Sequence, residues 1–225
     1  MKKKLIIGGI IVVAVGAAAL FLIPWGEYES KLQKSELSET TDYGNTEKAE
    51  EDLPPSLDRL EGTYYVNSKK GDGAEILFHV DGLKNTKGGF DEFEVTFEVP
   101  DDFKTSQLDV IIQTKSINTG NTMRDKHLRE ADFFHIEQYP TTEYHASQIV
   151  LGDTSYLAKG ELTLNGKTKA LDLPFKHLGS GGEGENAFEA FEGVFEFDRT
   201  QYGQEGFSGV GDVIRLSFYC ELKKQ

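Results

Sequence analysis

Cysteine occurs once, at Cys220, so the chain can form no internal disulfide and offers no cysteine-rich metal site. Positive charge is scarce as well. Only 24 Lys and Arg stand against 38 Asp and Glu, a net charge of -14, and three of the 24 are Lys2, Lys3 and Lys4. Such a surface repels nucleic acid and anionic headgroups and favours solubility. Sequence signals of catalysis are also missing. No Gly-x-Ser-x-Gly elbow occurs, and the glycine run from Gly179 to Glu185 lacks the Lys-Ser or Lys-Thr of a phosphate loop. His127, His135 and His145 are spaced eight and ten apart, which fits no standard zinc pattern. Most carboxylates alternate with apolar residues, an arrangement that puts them on wet faces rather than in a tuned acid–base pair. The expectation is a protein that is not an enzyme and carries no metal and no cofactor.

The one long hydrophobic run is N-terminal: Leu5 to Ile23, nineteen residues without a charge. As a helix it would span roughly 28 Å, close to the hydrocarbon thickness of a bilayer. Lys2 to Lys4 should stay cytoplasmic and send the remainder across the membrane, with Trp25 and Tyr28 at the far interface. Residues 1–26 are therefore expected to be a membrane anchor in the cytoplasmic membrane, with the C-terminal part on the periplasmic or extracellular side. The competing reading is a signal peptide cleaved after the Ala17/Ala19 pair, giving a secreted or periplasmic protein, although Leu20 to Ile23 carry the apolar run past that pair. Residues 27–56 are acidic and nearly free of large aliphatics, and read as a solvated linker ending at Pro54-Pro55.

From Leu57 onward the hydrophobic period is two. Phe93, Val95, Phe97 and Val99 alternate with Glu94, Thr96 and Glu98, and Leu162 and Leu164 share a face, as do Leu171, Leu173 and Phe175. Phe191, Phe195 and Phe197 oppose Glu192, Val194 and Glu196, and Ile214, Leu216, Phe218, Cys220 and Leu222 form a last stripe. Each is a strand with one buried and one wet face. Turns are expected at Lys70 to Gly73, Gly88-Gly89, Asn165-Gly166, Gly179 to Gly184 and Gly209 to Asp212, with Asn165-Gly166 a tight hairpin. A helical interruption is expected near Thr122 to Ala131. About eight strands in one domain, 57–225, solve their edge problem by closing into an antiparallel barrel. A sandwich with a solid core would show the same alternation.

The segment Ser116 to Ser147 carries six pieces in order: Ser116-Ile117, Thr119-Gly120-Asn121, Arg124-Asp125, His127-Leu128, Asp132-Phe133-Phe134 and Tyr139-Pro140. Together they closely resemble the signature of the YceI-like family. GELTLNGKTKALDLPF, through Gly160, Leu162, Thr163, Gly166, Thr168, Lys169, Leu173 and Pro174, resembles that family's later hairpin. Asp198, Arg199, Tyr202 and Gly203 resemble its Asp-Arg and aromatic-Gly element. The resemblance covers about Gly62 to the C-terminus. One departure is that Asn67 to Gly73 keeps neither the Asp nor the His-Ser of the family's first turn. The resemblance implies an extended eight-stranded lipocalin-like barrel that binds polyisoprenoid or similar long-chain amphiphiles in its bore.

The candidate lipid-binding surface is the apolar stripe Ile76, Phe78, Phe93, Val95, Phe97, Leu108, Val110, Ile112, Leu162, Leu164, Leu171, Leu173, Phe175, Phe191, Phe195, Phe197, Leu216 and Phe218. Asn121, Arg124, Asp125 and His127 are candidates either for orienting a headgroup or for fixing turns and pairing charges. Cys220, on the apolar face of the last strand, reads as a buried and inert thiol. The expected partners are an apolar lipid and, through the N-terminal helix, the membrane. No nucleic acid is expected, and homodimerisation is left open. Two other readings use the same residues: a filled barrel whose acidic outside binds a basic protein, and an enzyme acting on an isoprenoid lipid.

Overall fold

The computed structural model describes residues 30, 32–40, 56–70, 73–82, 86–152, 155–205 and 209–225. The expected anchor 1–26 lies outside the described residues, as do 27–29, 31 and 41–55 of the expected linker. Among the described residues no helix is long and apolar enough to cross a membrane.

The alternating runs become eight antiparallel barrel strands in simple up-and-down order. The first three are each built in two halves: β1 (Gly62–Asn67 and Ala74–Gly82), β2 (Thr86–Phe90 and Phe93–Val99) and β3 (Gln107–Gln113 and Ile117–Asn118). After helix α1 (Thr122–Leu128) come β4 (Thr141–Leu151), β5 (Tyr156–Leu164), β6 (Lys167–Gly181), β7 (Phe188–Asp198) and β8 (Val210–Lys224). Each strand pairs with its chain neighbours, and β8 returns to β1, with Lys223 opposite Tyr65 and Phe218 opposite Ile76. That last pairing closes the ring and decides for a barrel over a sandwich.

The breaks in β1, β2 and β3 lie side by side. Ser68 Oγ accepts from Phe93 N at 2.8 Å, and Asp91 N donates to Ser116 O at 3.2 Å. Three neighbouring strands therefore bend together, which a small barrel needs in order to coil and close. The Asn165-Gly166 hairpin forms as expected, with φ of 50° and 67° at its two central residues. Three expected turns fall differently. Gly88 and Gly89 lie inside β2, because Phe78 packs against that strand so closely that a Cβ on Gly88 would sit 2.3 Å from its ring. Gly179 to Gly181 end β6, and Val210 already opens β8.

Residues 32–40, expected to be solvated linker, are docked on the barrel wall. Leu37–Thr40 form a short strand paired to Gly179–Gly181 beyond the end of β5. Leu32 and Leu37 cover Phe188, Ala190 and Tyr219 on the outer face. Ser35 donates its N–H and its hydroxyl to the two oxygens of Glu221, both at 2.8 Å, and Lys34 lies 4.1 Å above the Tyr219 ring. The composition of the segment is too polar for a core of its own, but the barrel supplies the apolar surface and the carboxylate. Starting the chain at residue 41 instead of 27 is expected to lower stability by about 2 kcal/mol, roughly 5 °C in Tm. Calorimetry on the two lengths checks this, and equal melting would mean the strap contributes nothing.

Candidate functional site

The two ends of the barrel are built differently. At one end Leu57 and Leu60 enter beneath Phe103 and Tyr156, whose rings meet edge to face at 5.7 Å, and Tyr156 stacks on Phe175 at 5.5 Å. Leu57 N–H donates to the Tyr156 hydroxyl at 3.3 Å. His177 lies near this floor, stacked on Phe191 and 2.7 Å from Glu189 through Nε2. These side chains fill the end as a packed plug.

Above the plug the barrel is not filled. Along β6, β7 and β8, Leu171, Phe195, Phe197, Leu216 and Phe218 point inward yet remain only half-buried. An inward side chain that still has open surface must face a cavity. That cavity runs from the level of Phe97, Phe175 and Phe191 toward the α1 end, with a volume of about 140 Å³. So small a volume inside so long a wall makes it a narrow bore. The wall is almost wholly apolar, as small-molecule pockets for greasy ligands are.

All of the expected stripe lines this bore except Phe93, which is 2% exposed and spent on packing beside the bend in β2. The wall also contains residues outside that expected set. Val80, Ile214, Cys220 and Leu222 continue stripes already legible by period two, and Phe133 and Phe134 belong to the Asp-Phe-Phe motif. Arg199 and Gln204 follow the last alternating residue of β7, where no periodic signal reaches.

Most polar atoms of the wall are already engaged. The Tyr144 hydroxyl lies 2.9 Å from Ala158 O and 3.1 Å from Leu171 O, and burial, reinforced by Asp172, pushes its pKa up. The Arg199 guanidinium, 2% exposed, donates to Gly211 O at 2.8 Å, Val210 O at 3.1 Å, Asp212 Oδ1 at 3.0 Å and also Gln204 O. Burial lowers its pKa, and Asp212 and Asp198 oppose that shift. Asp198 accepts from Thr200 N–H and Oγ–H, which holds its carboxyl below the usual range.

Cys220 is a buried wall residue, and its pKa is pushed up to about 12, first by burial and then by Glu75. Three pH units above an ordinary thiol leave about a thousandfold less thiolate. Iodoacetamide at pH 8 should therefore leave Cys220 unmodified in the folded protein and label it on denaturation. Labelling at the rate of a free thiol would show that the wall opens there. The raised pKa also has a stability consequence. Stability from Cys220 is fully present below the unfolded thiol's pKa near 9 and is lost as pH rises from there to about 12.

The four polar signature residues lie beside the bore rather than in its wall. Asn121 caps α1, accepting from Met123 N and Arg124 N at 3.1 Å. Arg124 donates to Thr119 Oγ1 and Thr119 O, each at 2.8 Å. Asp125 accepts from Thr119 N at 2.9 Å and also from the Thr119 hydroxyl. His127 reaches Asp132 at 2.9 Å. Asn165 Nδ2 adds a bond to Phe133 O at 2.5 Å. Together these contacts fold 119–139 over the end of the barrel, so that Leu128, Phe133 and Phe134 face into the bore. His145 pairs with Asp109 at 2.6 Å and His135 packs on Tyr139, so the three histidines have three separate partners.

A family model described as the YceI-like domain matches residues 65–222, most of the barrel. The chain belongs to the YceI-like family. A UPF0312 protein of Vibrio cholerae serotype O1 is 32% identical over 164 residues, covering 70% of this chain and 85% of that one. A second, from Pseudomonas paraeruginosa, is 32% identical over 143 residues, 62% of this chain and 75% of that protein. Among solved structures, BcnA of Burkholderia cenocepacia superposes with a TM-score of 0.58 at 21% identity, over 68% of this chain and 96% of BcnA. A polyisoprenoid binding domain from Saccharophagus degradans superposes with a TM-score of 0.55 at 11% identity, over 74% of this chain and all of that domain. These likenesses concern the fold of this YceI-like barrel.

Proposed function

We propose that the YceI-like barrel binds a long apolar chain, a polyisoprenoid or similar amphiphile, and stores or carries it at the cell envelope. The observation that carries this reading is the half-buried state of the inward aromatic and aliphatic residues around a narrow bore plugged at one end. An extended chain would cover that apolar surface at about 25 cal/mol per Å² removed from water. The Saccharophagus degradans neighbour, whose name gives polyisoprenoid binding, supports the choice of ligand class. The polar contacts around the bore hold its walls in place, and the reading is of binding rather than chemistry.

In the same proposal, residues 5–23 anchor the chain in the cytoplasmic membrane with the barrel on the far side. Ser30 bonds to Glu75 on β1, so seven residue steps from Ile23 span at most about 25 Å. A barrel held that close to the bilayer works at high effective lipid concentration.

Native mass spectrometry on residues 27–225, repeated after organic extraction, tests the binding. One stoichiometric apolar species that leaves only on denaturation is the expected result. A protein that is empty and also refuses added isoprenoids would overturn it.

A further inference from the structure

Gln204 sits at the α1 end of the bore, 2% exposed, with its side chain in the cavity wall. Its main chain is held on both sides: the N–H donates to Arg199 O at 3.4 Å, and its carbonyl accepts from Arg199 Nη1. The backbone at this position is therefore held, and the side-chain amide nitrogen is buried with no hydrogen-bond partner among the described residues. A buried donor left unmade costs free energy, and a wall built mainly of Phe, Leu, Ile and Val would be more stable with an apolar residue there.

We propose that the Gln204 amide is the recognition point for the polar end of the bound chain, and that this end is a neutral oxygen acceptor, a carbonyl or hydroxyl. The inference rests on the reading of the bore as a lipid site and adds to it a direction and a chemistry. The chain lies with its tail toward the Leu57 plug and its oxygen at the α1 end.

Neutrality follows from the surroundings. Of the cations described near Gln204, Lys167, whose amine lies against Gly203, is exposed, and the buried Arg199 guanidinium is bonded to three backbone carbonyls and to Asp212. A phosphate would have to displace those bonds in a protein of net charge -14. An uncharged oxygen needs one donor, and Gln204 supplies it.

The test uses the full chain and three all-trans isoprenoid probes of matched length: a ketone, the hydrocarbon and a monophosphate. Wild type is expected to bind the ketone about tenfold more tightly than the hydrocarbon, the size of one good buried hydrogen bond. In Gln204→Leu the ketone should lose its advantage over the hydrocarbon. The empty variant should melt no lower than wild type, because an unpartnered buried donor has been removed. Gln204→Met, which keeps the length of the side chain, serves if the leucine variant folds poorly. Equal loss of ketone and hydrocarbon would assign Gln204 a purely structural role and overturn the proposal, as would tightest binding of the monophosphate. Equal wild-type affinity for ketone and hydrocarbon removes the role of Gln204 alone. Uptake of none of the three removes the lipid reading of the bore with it.

Discussion

Replacing Val110 with phenylalanine is expected to raise the melting temperature of the barrel and to abolish uptake of a long chain. Val110 points inward from β3, opposite Val95 and Tyr144 on the neighbouring strands, and is half-buried because it faces the bore. In an empty bore the larger ring fills space and gains apolar contact, typically about 0.5–2 kcal/mol for a filled cavity. In a solid core the same change overpacks and costs about 1–3 kcal/mol. The sign of the Tm shift thus separates a lipid-binding barrel from a filled interaction module. The ligand pays from the other side. Each buried carbon contributes roughly 0.8 kcal/mol, so excluding one five-carbon isoprene unit costs about 4 kcal/mol, about three orders of magnitude in affinity. Calorimetry on the empty variant and titration with an isoprenoid read the two effects separately. A lower Tm would place Val110 in packed core, and unchanged affinity would place the chain elsewhere.

The second large effect is expected at Arg199. Removing its side chain in Arg199→Ala leaves Gly211 O, Val210 O and Gln204 O without their donor and Asp212 without its cation. Breaking a buried charged network of this kind costs about 3–5 kcal/mol. For a domain of this size that is roughly 10 °C in Tm. Arg199→Lys should recover little, because a single ammonium cannot span three carbonyls set around a planar guanidinium. A fall of under about 2 °C in either variant, measured by thermal unfolding, would contradict this account. Since Arg199 also holds the carbonyl of Gln204, the alanine variant should lose any preference for oxygen-bearing ligands together with its stability.

The strand faces were legible because alternation is a local property of the backbone. In Phe93 to Val99, each residue is assigned to the wet or the dry side by its neighbours two positions away. Asn165-Gly166 was legible for the same reason, since tolerance of positive φ belongs to those two residues. The site was only partly legible. Most of the stripe from Ile76 to Phe218 does line the bore, but period two says which side chains point inward and not whether they touch. Phe93 points inward and is consumed by packing, while Phe195 points inward and faces open space.

Segments whose partners lie far away in sequence could not be read in advance. The strap at 32–40 is too polar to form structure alone, and it docks because β6, β7 and β8 present Leu178, Phe188, Tyr219 and Glu221. Gly88 resembled a turn glycine until the Phe78 ring came to lie against it.

The sequence by itself determined an all-β domain of long two-faced strands, an acidic exterior, one tight hairpin, a helical insertion near Thr122 and the family to which the chain belongs. Only the tertiary structure decided that β8 returns to β1, that the closed ring leaves a narrow bore, and that Arg199 and Gln204 stand in its wall. Closure depends on register between strands about 150 residues apart in sequence. A bore depends on the volume of the inward side chains measured against the radius of the ring they line. Both are sums over the whole barrel, and no window of sequence contains them.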